Sequence, residues 1–129
     1  MTKPTAHGLK RVINAAGYSL KGIRAAYRNE AAFRQELMLV GFAVVMASLI
    51  AQTLLQWLLL VVSGLFVLLV ELLNSAIEAT VDRQGEEWHE LSGRAKDMGS
   101  AAVFISLLIM ALTWGVILWE RLSHWLSGT

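Results

Sequence analysis

Between Leu37 and Val70 the chain runs for 34 residues without an Asp, Glu, Lys, Arg or His. A run that apolar belongs in lipid, where every backbone N–H and C=O must find its partner inside the protein, so it reads as helix. One helix of that length would measure ~51 Å at about 1.5 Å per residue, against a hydrocarbon core of ~30 Å. The run therefore holds two spans, one near Glu36–Ala51 and one near Leu55–Ile77, and the polar Gln52, Thr53 and Gln56 mark the reversal. A further uncharged run, Met98 to Trp119, has 22 residues and suits a single span. Hydrophobic residues make up 56% of the 129 and charged residues 16%, which sets the chain apart from an ordinary soluble domain. The absence of cysteine excludes disulfides, thiolate metal sites and cysteine nucleophiles. A net charge of +1 gives no reason to expect a nucleic-acid partner. The first 36 residues carry charges throughout, so no cleavable signal is expected there.

Charge asymmetry sets an orientation. Of the 11 Lys and Arg, seven precede the first span: Lys3, Lys10, Arg11, Lys21, Arg24, Arg28 and Arg34. Arg83, Arg94 and Lys96 lie between the second and third spans, and Arg121 alone follows the third. By the excess of cations in cytoplasmic loops, the N-terminus and the second loop are expected to face the cytoplasm and the C-terminus the outside. Trp57, Trp114, Trp119 and Trp125 suit interfacial belts or packing within the bundle.

The segment before the first span is amphipathic. Leu9, Val12, Ala16, Leu20, Ile23 and Tyr27 recur every three or four residues, while Lys10, Asn14, Gly17, Lys21, Arg24 and Arg28 fill the other side. That pattern predicts a helix on the membrane surface with its basic face toward anionic headgroups. The fold expected is an all-α membrane protein in a single domain over residues 1–129. Its surface helix covers about 6–34, and helices at 35–51, 55–84 and 88–120 contain the three spans.

One feature departs from this apolar plan. Glu71, Asn74 and Glu78 stand at i, i+3 and i+7 at the end of the second span, and Asp82 continues the same face. A carboxylate at the hydrocarbon edge is costly, and such groups face a bundle interior or a functional cleft. For Asp82, further out, a solvated helix end is the expectation. Two more polar clusters lie on the same side of the membrane. They are "NEAAFRQE" (Asn29–Glu36), at the hinge before the first span, and "EEWHELSGRAKD" (Glu86–Asp97), where Gly85 is expected to break the second helix. Glu30, Glu71, Glu78, Lys96 and Asp97 are thereby brought to one depth. Facing carboxylates need a cation, and oxygen ligands suit Mg²⁺. Carboxylates with basic groups are what phosphoryl transfer from a nucleotide uses, although neither a GxxxxGK[ST] loop nor a kinase glycine loop is present.

"NEAAFRQE", "ELLNSAIEATVDR" and "ELSGRAKDMGSAA", in their order and spacing, resemble the small bacterial integral-membrane diacylglycerol kinases. The resemblance runs from Arg11 to about Trp119. It implies a homotrimer in the bacterial inner membrane, with active sites shared between subunits, that uses MgATP to convert 1,2-diacylglycerol into phosphatidic acid without a phosphoenzyme. Glu71 then corresponds to the general base, and Glu30 and Glu78 to the Mg²⁺ ligands on the ATP phosphates. Arg11, Tyr18, Asn74, Lys96 and Asp97 resemble groups around the nucleotide, and Glu87, Trp88 and His89 fall where the family contacts the nucleoside. The lipid is expected along the surface helix at Arg11, Ala15, Ala16, Gly17, Tyr18, Ser19, Leu20 and Arg24. It continues along the first span at Ala32, Phe33, Arg34, Gln35 and Glu36, and reaches Glu71, Ser100 and Trp114. Ser123 to Thr129 match no motif, and Leu20 and Trp88 differ from the aromatic residues expected there. An undecaprenol kinase of the same family shares the Glu/Asn/Glu face. A non-enzymatic three-helix scaffold would use the small residues Gly99, Ser100, Ala101, Ala102 and Ser106 for packing but leaves the carboxylates unexplained.

Overall fold

The computed structural model describes residues 7–128. Lys3 and the expected helix start at residue 6 lie outside that range. The described residues form four helices and no strand: α1 (Gly8–Asn29), α2 (Ala31–Ile50), α3 (Leu54–Asp82) and α4 (Glu90–Ser127). The last three are long and apolar enough to cross a membrane, as the uncharged runs require. The chain is an all-α integral membrane protein.

Every boundary between helices has a local cause, and these causes correct the expected limits. The surface helix ends at Asn29 rather than 34, because Glu30 takes an extended conformation (φ −118°, ψ 109°) and serves as the C-cap of α1 and the N-cap of α2. The break is held from the other side. Arg34, in the first turn of α2, donates through Nη1 to the carbonyl of Tyr27 at 2.7 Å. A guanidinium thus satisfies an orphan carbonyl at the negative end of α1. As a result α2 starts at Ala31, not at 35.

The α2–α3 reversal falls where the polar residues mark it. Thr53 caps α3 by accepting from the N–H of Gln56 at 3.1 Å, and Gln56 Oε1 accepts from the N–H of Gln52 at 2.9 Å. This reciprocal pair is a variant of the Thr-x-x-Gln capping box. At the far end α3 stops at Asp82, ahead of the expected 84, because Gln84 and Gly85 already turn back onto the carbonyls of Val81 and Asp82. Gly85 itself adopts a φ of 115°, a conformation open to glycine. α4 begins at Glu90, two residues later than expected, because His89 caps it: Nδ1 accepts from the N–H of Leu91 at 3.1 Å. It continues past 120 to Ser127, since nothing breaks it before the left-handed Gly128.

α3 packs between α2 and α4, and α1 touches α2 and α3 more lightly. The contacts alternate small and large residues. Ala43 meets Val67 and Met110, and one layer further along Ala47 meets Leu60 and Ile117, with Trp114 against both layers. Lipid offers no hydrophobic gain for helix association, so close approach at small residues supplies the contact. Of the small residues singled out on α4, Gly99 and Ser106 are buried, whereas Ser100, Ala101 and Ala102 are exposed. Trp57 does not stand free in a belt. It packs on the Ala47 layer and donates through Nε1 to Ser48 Oγ at 3.1 Å. Trp119 and Trp125 are exposed. The apolar side of α1, including Leu9, Val12, Leu20 and Tyr27, is also exposed.

The α2–α3 contact yields a stability prediction. A Cβ at Gly64 would sit 3.4 Å from both γ-carbons of Val40 and 3.8 Å from the terminal methyl of Met110. Gly64→Ala therefore fits, and helix propensity favours it by about 1 kcal/mol. Gly64→Leu overpacks the same space and is expected to cost about 1–3 kcal/mol. Equilibrium unfolding in detergent micelles should separate the two variants in that order, and equal midpoints would contradict this packing.

Candidate active site

The polar face of α3 begins inside the protein. Glu71 is only 4% exposed and Asn74 7%, whereas Glu78 is half-buried and Asp82 exposed. The helix thus carries its polar groups outward from the bundle core in two turns. What encloses Glu71 is α2, whose Glu36 points to it. The two carboxyl groups lie within hydrogen-bonding reach of each other. Glu36 Oε2 is cut off from solvent, and among the described residues no N–H or hydroxyl donor reaches it. The charges of Glu78 and Glu30 also act on Glu71. Four carboxyl groups from α2, α3 and the α1–α2 hinge therefore share one region, an arrangement that costs free energy unless protons or a cation enter it.

Asn74 links the two ends of this cluster. Its Nδ2 donates to Glu78 Oε1 at 3.3 Å, while its buried Oδ1 receives no donor. Lys96, expected in the cluster, is paired instead with Asp82 at 2.5 Å, and it lies near enough for its charge to act on Glu78. Asp82 is thus an ion-pair partner rather than only a solvated helix end. Among the described residues, no group of three or more His, Asp or Glu side chains is placed to hold a metal ion.

Two cavities flank the cluster. The first, of about 1030 Å³, opens at the α3–α4 loop and is lined by Asp82, Glu86, Glu87, Trp88, His89 and Lys96, among others. It gathers Glu87, Trp88 and His89, although His89 spends Nδ1 on capping α4. The second, of about 590 Å³, lies between α1 and α3 and is lined by Ser19, Gly22, Asn29, Glu30, Leu72 and Ser75, among others. Arg34 and Gln35 line a further hollow with Tyr27 and Met38.

Other expected site residues stay apart within one chain. Asp97 is exposed and, among the described residues, no hydrogen bond or ion pair joins it to the glutamates. Leu20 and Arg24 are exposed on the second half of α1, and Arg11, Ala15, Ala16 and Gly17 on the first. Tyr18 lies there too, with Lys21 Nζ 6.0 Å from its ring centroid. Ala32 is exposed, but Phe33 is buried. Ser100 is exposed, and Trp114 belongs to the packed layers and to an apolar groove with Leu39, Phe42 and Met110. Three features were missed. Glu36 was expected along the lipid, not as the partner of Glu71. Ser75, buried with a hydroxyl that finds no partner, and Gly99, beside Asn74, were not singled out for the site. Ser75 follows Asn74 directly, and Gly99 stands two residues after Asp97, the signals that would have pointed to them.

Comparison with known proteins covers most of this architecture. The profile of the family described as "Prokaryotic diacylglycerol kinase" matches residues 17–118. The chain is 57% identical over 114 residues to the diacylglycerol kinase of Escherichia coli (strain K12), covering 88% of this chain and 93% of that protein. It is 52% identical over 111 residues to the diacylglycerol kinase of Pseudomonas aeruginosa, covering 86% and 90%. For the diacylglycerol kinase of Haemophilus influenzae the identity is 49% over 111 residues, covering 86% and 94%. On the polar face of α3, the three-span fold and these matches together, the chain belongs to the prokaryotic diacylglycerol kinase family.

Proposed function

We propose that this chain, acting as one membrane domain, phosphorylates 1,2-diacylglycerol with ATP to give phosphatidic acid at the cytoplasmic face of the bacterial inner membrane. The observation that carries this reading is the burial of Glu71 at the inner end of a polar helix face. A lipid hydroxyl held at the membrane edge needs its base at that depth. The nucleotide arrives from water and needs its contacts further out, where Glu78, Lys96 and the large α3–α4 cavity lie.

The residues present fit a divalent cation. Glu30, at the α1–α2 hinge, and Glu78, on α3, would supply carboxylate oxygens, and the charges of both act on Glu71. Such hard oxygen donors suit Mg²⁺, which commonly takes one or two carboxylates together with substrate phosphates. When bound with ATP, Mg²⁺ neutralises phosphate charge. The chain's own groups do the rest. Glu71, in its ionised form, accepts the proton of the lipid hydroxyl as that oxygen bonds to the γ-phosphorus. The bond from that phosphorus to the ADP oxygen breaks, and ADP leaves. Lys96 offers positive charge to the phosphate oxygens. Glu36 holds Glu71 in place and shields it from water.

A homotrimer with sites shared between subunits agrees with two features of the single chain. The outer faces of α2 and α4 expose many large apolar residues. Arg11 and Asp97 stand away from the glutamate cluster, so a neighbouring subunit would complete the site. Basic residues before α2 and in the α3–α4 loop support a cytoplasmic N-terminus and a periplasmic C-terminus.

Three tests follow. Single cysteines replacing Gln52 or Ser127 should react from outside the cell with an impermeant thiol reagent, and one replacing Gln84 should not; the opposite pattern overturns the orientation. Glu71→Gln keeps the shape and removes the base, and loss of general-base catalysis typically costs ~10²–10⁴-fold in rate. ATP binding should survive in that variant. Labelled ATP offered with diacylglycerol or undecaprenol in mixed micelles measures this and also identifies the preferred acceptor. Glu30→Gln and Glu78→Gln should each raise the magnesium concentration needed for nucleotide binding, and unchanged magnesium dependence in both would remove them from the metal site.

A further inference from the structure

Gly99 stands at the start of the apolar part of α4, directly across from Asn74. It is buried, and a Cβ built on it would run into Asn74 Oδ1 and lie 3.3 Å from Asn74 Cγ. Its backbone is ordinary helix without a positive φ, so the backbone itself would accept alanine, the better helix former. What excludes a side chain here is one carboxamide. The other half of that carboxamide is engaged: Nδ2 donates to Glu78 Oε1 at 3.3 Å. No donor holds Oδ1 in its buried position. Its neighbour is the Cα of Gly99, whose hydrogens offer a weak C–H···O contact of the kind found between closely packed helices. Thus the orientation of Asn74 is set on one side by Glu78 and on the other by the missing Cβ of α4.

We propose that Gly99 is a positioning residue for phosphoryl transfer: by leaving room for Asn74 Oδ1, it turns Asn74 Nδ2 toward Glu78 and fixes that carboxylate for the nucleotide side of the site. The inference rests on the reading of Glu78 as a group of the metal–nucleotide site. A methyl group at position 99 forces Asn74 to rotate or α4 to move away. Either movement breaks the Asn74–Glu78 bond while leaving Glu71, one turn deeper and facing Glu36, in its place. The effect is therefore specific to the nucleotide side. Other glycines of α4 lack this role. A Cβ at Gly115 would meet no atom within 4 Å.

The test compares Gly99→Ala, Gly115→Ala, Glu78→Gln and Asn74→Ala, the last with and without Gly99→Ala, in detergent-solubilised full chain. Equilibrium binding of ATP in magnesium is measured beside the KM for each substrate. Changing a group that orients a metal ligand typically costs about 10–100-fold in affinity or activity. Gly99→Ala is expected to weaken magnesium–ATP binding by that factor, with the KM for diacylglycerol within about twofold of the parent, and Gly115→Ala should bind normally. Added to Asn74→Ala, Gly99→Ala should cause no further loss, because the two changes act through one contact. A methyl then sits 3.9 Å from Asn74 Cβ, an ordinary contact, so the double variant folds even where the single one does not. Normal nucleotide binding by Gly99→Ala beside weakened binding by Glu78→Gln overturns the inference and leaves Glu78 in its role. Normal binding by Glu78→Gln removes that role and the inference with it. An equal loss from Gly99→Ala with and without Asn74→Ala, or a double variant that fails to fold, reduces Gly99 to helix packing and overturns the proposal.

Discussion

A carboxyl group enclosed at the end of an apolar helix governs the rest of this molecule. Glu71 is almost wholly buried and faces a second carboxyl, Glu36, from the neighbouring helix. Neither group would stay there if lipid surrounded it, because an ionisable side chain at that depth needs a partner or a polar enclosure. α3 therefore has to be the middle helix, covered by α2 on one side and α4 on the other, at the level where its polar face begins. The small residues follow from that placement. Ala43 and Ala47 let α2 approach α3, and Gly99 and Ser106 let α4 do the same. Close approach then encloses the carboxyl groups.

The hinge at Glu30 serves the same end. One extended residue separates α1 from α2, and Arg34 reaches back to the last carbonyls of α1. This cap fixes where the surface helix leaves the first span, and so fixes Glu30 beside the α3 face rather than on a freely moving loop. The cavity between α1 and α3 that Glu30 helps to line is a product of this bend. A chain that simply continued α1 into α2 would carry Glu30 in mid-helix and close no pocket over Leu72 and Ser75.

The features legible in the sequence were those written in charge and length. The uncharged runs fixed the number of spans, Gln52 to Gln56 marked the reversal, and the spacing of Glu71, Asn74 and Glu78 placed them on one face. Helix ends were less legible, since they depend on side chains reaching across a break. Nothing in "NEAAFRQE" states that Arg34 will cap the preceding helix, and nothing in "EEWHEL" states that His89 will cap the next one. The pairing of Lys96 with Asp82 was hidden for a related reason. Depth along a helix can be counted, but the choice of partner between two helices depends on their rotation. Gly99 shows the limit most clearly. In the sequence it is one of several small residues in a row, and only the position of Asn74 on a helix 25 residues away gives its missing side chain a meaning.

The division of labour along α3 follows from the two solvents that its ends occupy. The lipid hydroxyl cannot travel far into water without its acyl chains, and a nucleotide triphosphate cannot enter hydrocarbon. The two substrates can meet only in a thin layer, and the catalytic groups must be ordered along its normal. A helix perpendicular to the membrane does this with little adjustment, since each turn advances about 5.4 Å. Glu71 to Glu78 spans roughly two such turns, ~11 Å, which carries the polar face from a buried carboxyl group to a half-buried one. The helical backbone also holds the two groups at a fixed separation, which a loop would not. Asn74, between them on the same face, donates to the outer carboxylate and approaches Gly99 of α4 closely. The polar face therefore starts inside the packed bundle and reaches outward, so that Glu71 is shielded while Glu78 and Asp82 stay more open to water.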